Sequence, residues 1–231
     1  MEELNLTIVR TLDRSPTLKH PLLNEHYHST FGAIQESMHV FIGAGIDAQF
    51  HQTEIHILEL GFGTGLNVWL TALYALENRI KIQIDSFEKF PLTKFVYDAY
   101  LVEMVKEGLC SEDSLNLFKH ILDCAWNVNT KLNEYCSFTK YDRDIETMKA
   151  IEKYELIFFD AFNPDVQPEL WTEAIFLQMH QALKPNGILV TYCAKGQVRR
   201  NMKSAGFSIE KIAGPPGKRE MTRATKHAQN V

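Results

Sequence analysis

Three glycines at alternate positions, Gly61, Gly63 and Gly65, stand between the apolar run IHILEL (55–60) and LNVWLTALYALEN (66–78), where apolar residues recur at helical spacing. A strand that hands over to a helix through glycines constrains the fold more than any other feature of the chain. Glycine permits positive φ and close approach of the backbone to a ligand, and the helix start offers free N–H groups and the positive end of a dipole. The spacing G-x-G-x-G is not the dinucleotide fingerprint G-x-G-x-x-G, because the third glycine comes one residue early. No Gly-Lys-Ser/Thr follows to make a P-loop.

The alternation continues beyond this unit. KIQIDSFE (81–88) reads as a strand, LTKFVYDAYLVEMVKE (92–107) as a helix, and SLNLFKHILDCAW as a second helix. SFTKY (137–141) is a weaker strand and YELIFFD (154–160) a strong one, followed by a helix over PELWTEAIFLQMHQAL (168–183) and a strand over GILVTYC (187–193). The pattern calls for an α/β fold, a doubly wound and mostly parallel sheet with helices on both faces and ligands at the carboxyl ends of the strands. QVRRNMKSAG then reads as a short helix, FSIEKIAG as a strand, PPGK as a turn and REMTRA as a last strand. Strands joined so tightly must be antiparallel, so a C-terminal hairpin is expected to finish the sheet. Residues 1–50 are mixed: NLTIVRT alternates like a strand, RSPT turns, and TFGAIQESMHVFIGAG has a helical pattern. They read as an N-terminal extension packed on a domain of residues 51–231.

With 231 residues, 45% hydrophobic and 23% charged, the chain has the makings of one soluble domain with a substantial core. Its opening, MEELNLTIVRTLDRSP, has acids where a signal peptide needs positive charge, and nothing reaches the ~20 apolar residues of a membrane span. A cytoplasmic protein without a membrane partner is expected. Cys110, Cys124, Cys136 and Cys193 are far apart and form no C-x-x-C, so free thiols are expected. His26 and His28 have no third ligand nearby and read as surface or packing residues, so no metal is expected. The net charge of −5 conceals an asymmetry: residues 192–231 hold nine Lys/Arg against two Glu, while residues 1–191 hold 15 against 27 acids. The basic end is either a solvated tail or a patch for a polyanion.

Acidic residues gather at the strand ends. Glu59 precedes the glycine loop by two residues, and its charge would oppose a pyrophosphate but suit a cationic ligand. Glu88 ends the next strand, where a carboxylate accepts both hydroxyls of a ribose. Asp144, or alternatively Asp142, follows the third strand. Asp160 ends the fourth, inside FFDAFNPDVQPELW. Aspartate often ends strands and Asn163-Pro164 is an ordinary turn former, so position alone leaves a turn role and a reactive role open.

The glycine loop with its acids resembles the class I methyltransferases that bind S-adenosyl-L-methionine, whose sulfonium and amino groups are cations. The resemblance implies a Rossmann-like fold, with Glu59, Gly61, Gly63 and Gly65 at the methionine part, Glu88 at the ribose and Asp144 at the adenine edge. It also puts Phe62, Thr64, Asn67, Lys89 and Asp160 in the cofactor site. DAFNP is similar to the acid-or-amide, then proline motif of methyltransferases that act on exocyclic amines. An aliphatic amine, with a pKa of ~10, must lose a proton before it attacks a methyl group, and a carboxylate can orient it and help remove that proton.

Six ordered stretches, EHYHSTFGAIQESMHVFI, LELGFGTGLN, SFEKFPL, FFDAFNPDVQPELWT, KPNGILVTYCAKGQVRRNMKSAGF and GPPGKREMTRA, resemble the tRNA 5-aminomethyl-2-thiouridine methyltransferase family. That family comprises the stand-alone MnmD type and the methyltransferase half of bifunctional MnmC, and the resemblance spans roughly residues 25–224. It implies methylation of the aminomethyl group on the wobble uridine in the tRNA anticodon loop, giving 5-methylaminomethyl-2-thiouridine, with Asp160 catalytic. It places Phe162, Asn163, Lys195, Arg199, Arg200, Lys218 and Arg219 at the tRNA, with Lys203 nearby. Phe162 and Tyr192 either stack on the presented base or pack in the core. Phe159-Asp160-Ala161-Phe162-Asn163-Pro164, where the bifunctional proteins tend to read Leu-Asp-Gly-Phe-Ala-Pro, is nearer the stand-alone members. No second glycine fingerprint follows Arg223, so the flavin-dependent oxidase half is expected to be absent and separate upstream enzymes to supply the substrate. The rival readings are a methyltransferase of a small-molecule or protein amine, a non-catalytic module that binds the cofactor or RNA, and an NAD-dependent enzyme.

Overall fold

The computed structural model describes residues 6–49 and 52–228; Asn5, the first residue of the expected NLTIVRT strand, and the junction at residues 50–51 lie outside them. Near the N-terminus, β1 (Thr7–Arg10), β2 (Pro16–His20) and β3 (Glu25–His26) form a small antiparallel sheet in that order. The expected strand therefore pairs with β2, which in turn pairs with β3, two strands the sequence reading passed over. Pro16, Lys19 and His20 disguise β2 as loop, yet Pro16, Thr17 and Leu18 are buried.

The helical pattern that follows forms α1 (Ala33–Ser37), which widens into a π-helix over Met38–Ile46 and ends in a tight turn at Asp47–Gln49. Val40, Phe41 and Ile42 are all buried, more consecutive apolar contact than one α-helical stripe provides. Gly45 lies flat on the main sheet, where a Cβ would stand 3.3 Å from Phe158 and Val190.

The main sheet is built from β4 (Glu54–Leu60), α2 (Leu66–Asn78), β5 (Lys81–Phe87), α3 (Lys94–Lys106), α4 (Glu112–Asp123), β6 (Thr130–Lys131), β7 (Cys136–Tyr141), β8 (Tyr154–Phe159), α5 (Glu173–Ala182), β9 (Leu183–Thr191), α6 (Gly196–Ser204), β10 (Ser208–Ala213) and β11 (Glu220–Thr225). Its strand order is β10-β11-β9-β8-β4-β5-β7-β6. The five strands from β9 to β7 are parallel, β10 and β11 make an antiparallel hairpin, and β11 also runs antiparallel to β9. This is the α/β fold class expected, with its terminal hairpin.

Three details differ from expectation. β6 adds a short antiparallel strand beyond β7. The helix expected over 168–183 is divided: Pro168–Trp171 forms a separate 3₁₀ turn, and α5 starts after Thr172, whose hydroxyl accepts from the Ile175 amide at 3.4 Å. β9 begins at Leu183, four residues early, because the chain pairs there with Tyr154, then bulges through Lys184-Pro185-Asn186 before Ile188 meets Leu156. A proline that cannot donate to the ladder is tolerated at such an irregularity.

Every residue of β8 is buried, as a strand covered on both faces requires. Phe158 packs with Phe41 in one core cluster, and Phe159 with Trp171 and Phe176 in the other. Glu59 pairs with Phe158 and Leu60 with Phe159, so Gly61 and Asp160 leave the sheet side by side. No helix among the described residues is long and apolar enough to cross a membrane.

Candidate active site

Where β4 and β8 end, two backbones touch. The Gly61 amide donates to the Phe87 carbonyl at 2.9 Å, and the Asp160 amide donates to the Leu60 carbonyl at 3.0 Å. Gly61 has φ 93°, and a Cβ there would lie 2.4 Å from the Asp160 carbonyl oxygen, so no other residue fits. The Asp160 carboxylate accepts from Nδ2 of Asn67, in the first turn of α2, at 2.9 Å. Burial pushes Asp160 up to about 7; the Asn67 bond opposes this, Glu36 adds to it and Lys218 works against it.

Glu59 is fully buried. One of its oxygens accepts from the Ser86 hydroxyl, and Oε1 has no hydrogen-bond partner among the described residues. Burial raises it to about 8, with Ser86 and Asn67 opposing and the charges of Asp160 and Glu88 reinforcing the rise. A buried acceptor left open is costly until a donor reaches it. Glu88 accepts from the amides of Gly63 at 3.0 Å and Phe90 at 2.8 Å, and burial raises its pKa as well.

Beside Glu88, Lys89 pairs with Asp144 at 2.6 Å, and Asp144 also accepts from the Glu146 amide at the start of the turn Ile145–Thr147. Burial acts against the Asp144 charge, but the Lys89 and Glu146 bonds prevail and hold its pKa low. Asp142 turns away to accept from Asn127 at 2.7 Å. The structure therefore brings Asp144, and not Asp142, next to the Glu88 end of the cleft. The Phe62 ring is buried against Phe138, Trp126 and Tyr97, with the Lys140 ammonium over it, leaving the backbone to meet a ligand. It wedges the loop from below. Thr64 is also buried, its hydroxyl 3.2 Å from Nε2 of His28.

Of the opposite wall, Phe162, Tyr192 and Lys218 are residues the sequence singled out for the site, and Tyr27, His28 and Glu36 are not. Tyr27 lies against Gly63 and meets Phe162 edge-on at 4.9 Å, with His20 on the same ring at 6.2 Å. His28 is buried on Thr64, which lowers its pKa to about 4 and keeps it neutral. The Tyr192 hydroxyl donates to the carbonyl of Ala161, next to Asp160, at 2.8 Å. Lys218 stands 3.9 Å from the Tyr192 ring centroid and donates to Oε1 of Glu36 at 2.7 Å. The stretch EHYHSTFGAIQES held Tyr27, His28 and Glu36, but no local spacing tied them to the cleft. Among the described residues no group of His, Cys, Asp and Glu could hold a metal ion.

Around Phe162 the chain is a hydrogen-bonded turn. The Phe162 carbonyl accepts from the Trp171 indole at 2.9 Å, its amide donates to Gln167, and Asn163 accepts from Asp165, Val166 and Gln167. Asn163 thus shapes the turn that carries Asp160. Of the basic residues, Arg200, Lys203 and Arg219 are exposed, while Lys195 pairs with Asp165. Arg199 corrects the expectation of a tRNA contact. Its guanidinium points inward and donates to Thr222 at 3.0 Å, Glu220 at 2.9 Å and the Met221 carbonyl at 3.1 Å, tying α6 to β11. Lys218 is likewise turned into the cleft.

Known proteins resemble this chain over much of its length. Residues 120–227 match a family described as S-adenosyl-L-methionine-dependent methyltransferase. The tRNA 5-methylaminomethyl-2-thiouridine biosynthesis bifunctional protein MnmC of Aeromonas hydrophila is 29% identical over 89% of this chain and 34% of its own length. The MnmC protein of Leptospira interrogans is 31% identical over 84% of this chain and 31% of its own. The chain thus spans about a third of the curated relatives it matches. A crystal structure of MnmC2 from Aquifex aeolicus superposes with a TM-score of 0.77 and 26% identity, covering 99% of this chain and 74% of that one. In fold and in sequence, the chain is similar to a class I methyltransferase domain of the MnmC/MnmD type, with S-adenosyl-L-methionine as its cofactor.

Proposed function

We propose that this chain methylates the free amine of the aminomethyl group on 5-aminomethyl-2-thiouridine at the tRNA wobble position, in the cytoplasm, giving 5-methylaminomethyl-2-thiouridine. The observation that carries the reading is Asp160: a buried carboxylate at the strand end, backbone to backbone with the glycine loop and held by Asn67. The MnmC similarity supports the choice of acceptor.

The residues present fit the cofactor. Glu59 offers a buried acceptor oxygen without a partner, which suits an ammonium group, and the Gly61 contact leaves no side chain between the strand ends and a ligand. In this reading Glu59, Gly61, Gly63, Gly65, Thr64 and Asn67 hold the methionine part, Glu88 the ribose, and Asp144 with Lys89 the adenine end. When bound, S-adenosyl-L-methionine supplies a methyl group activated by its positively charged sulfur.

The acceptor nitrogen gains a methyl group and loses a proton, and Asp160 is the base that receives the proton. A base with a pKa near the working pH combines a useful ionised fraction with real proton affinity, and burial provides that here. Phe162 and Tyr27 wall the side where the base enters. Arg200, Lys203 and Arg219, with Lys195, contact phosphates without reading sequence. Residues 1–50 act as an extension on the unit 51–231, a division supported by the packing of Gly45 on Phe158 and of Tyr27 on Gly63.

The test is incubation of the purified chain with methyl-labelled S-adenosyl-L-methionine and tRNA that carries the aminomethyl group. Label in the tRNA, and none in tRNA lacking that group, is expected. Equal labelling of both, or of neither, contradicts the assignment.

A further inference from the structure

The hairpin turn between β10 and β11 is held by the N-terminal segment at three places. His39 Nε2 lies 2.8 Å from the Ala213 carbonyl. Gly217, at φ 85°, is pressed on Phe31 so closely that a Cβ would come within 2.4 Å of the ring. Glu36, itself buried, takes the Lys218 ammonium on Oε1 and the Ser29 amide on Oε2 at 2.8 Å. The side chain that results is not placed for a phosphate: its charge rests on the face of Tyr192, whose hydroxyl is bonded beside Asp160.

We propose that Glu36 and Lys218, from opposite ends of the chain, form a fixed ion pair that sets the charge state of Asp160 and makes residues 25–36 part of the acceptor cleft. Both are positioning residues, and neither touches the reacting atoms. Asp160 is bonded to Asn67 from α2 and feels the charges of Glu36 from α1, Lys218 from the hairpin turn and Glu59 from β4, while Tyr192 beyond β9 is bonded to the next carbonyl. Among them only Lys218 carries positive charge. Glu36 disfavours the Asp160 carboxylate and Lys218 favours it, so the pair acts as two opposed controls on one group.

The inference rests on the proposed function only for its kinetic consequence, and its test is made on the protein alone. The Asp160 carboxyl carbon, labelled and assigned with Asp160→Asn, is followed by NMR against pH. Lys218→Met raises the midpoint of its titration and Glu36→Gln lowers it, each by roughly one pH unit, because each removes one nearby charge of opposite sign. The double variant returns toward the parental midpoint. Lys218→Gln removes the same charge by a second route should Lys218→Met fold poorly. A merely structural pair would lower thermal stability in all variants and leave the midpoint in place, which would overturn the proposal, as would single variants that shift it in the same direction. Opposite shifts in a chain that transfers no methyl to the amine-bearing tRNA would sustain this inference and remove the functional reading; transfer without shifts would do the reverse.

Discussion

The cleft has two walls of different origin. One is continuous in sequence logic: β4, the glycine loop and α2 carry Glu59, Gly61 and Asn67, and the neighbouring strand ends add Glu88 and Asp160. The other is assembled from pieces far apart in the chain, Tyr27, His28 and Glu36 from the N-terminal segment, Tyr192 after β9, and Lys218 in the last hairpin. The first wall is rich in buried carboxylates and binds by backbone approach. The second supplies aromatic faces and the compensating positive charge. Local rules of strand, turn and helix suffice to build the former, whereas the latter exists only because tertiary packing closes it.

The sharpest way to break this division is at Asp160, where the walls meet. Asp160→Asn keeps the Asn67 contact within reach but removes the proton acceptor, and kcat for methyl transfer is expected to fall by about 10² to 10⁴. A base at Asp160 works only as carboxylate. Since burial raises it to about 7, the rate rises from pH 6 to pH 8, and a flat profile over that range contradicts its role as base.

Gly61→Ala attacks the first wall alone. The added Cβ meets the Asp160 carbonyl at 2.4 Å in a backbone region that alanine avoids, so urea unfolding should show a loss of roughly 2–4 kcal/mol and cofactor titration at least about a tenfold loss of affinity. An alanine variant that binds normally would mean the strand ends are looser than described.

Two arginines next to each other in sequence then separate structure from recognition. Arg199→Met removes donors to Thr222, Glu220 and the Met221 carbonyl and is expected to cost roughly 2–3 kcal/mol in denaturation, with little change in the salt dependence of tRNA binding. Arg200→Ala combined with Arg219→Ala should leave stability nearly untouched. It should lower the slope of log affinity against log salt by about one per arginine. The reverse pattern would move the tRNA surface away from α6 and the hairpin.

The first wall was legible because its signals are local. Alternating glycines between an apolar run and a helical pattern located the loop, and acids at successive strand ends located Glu59, Glu88 and Asp160. The same reading called for the mostly parallel sheet and the final hairpin. What it could not see were facts of packing. Phe62 sits in the loop motif but faces the core, and Arg199 sits in a basic run but faces β11. β2 hides behind proline and histidine, and nothing local showed that His28, read as a surface or packing residue, packs on the glycine loop. None of these orientations has a period or a spacing that would betray it. Phe62, Arg199 and His28 are fixed by partners more than twenty residues away, and β2 by its pairing with β1 and β3.

The central claim is that the cleft delivers a methyl group to one particular amine. Its most direct test is nucleoside mass analysis of tRNA carrying 5-aminomethyl-2-thiouridine after incubation with the chain and S-adenosyl-L-methionine. The account predicts that this nucleoside disappears and that one heavier by a single methyl group takes its place, with no other nucleoside changed. An unchanged 5-aminomethyl-2-thiouridine peak, or methylation at another nucleoside, would contradict it.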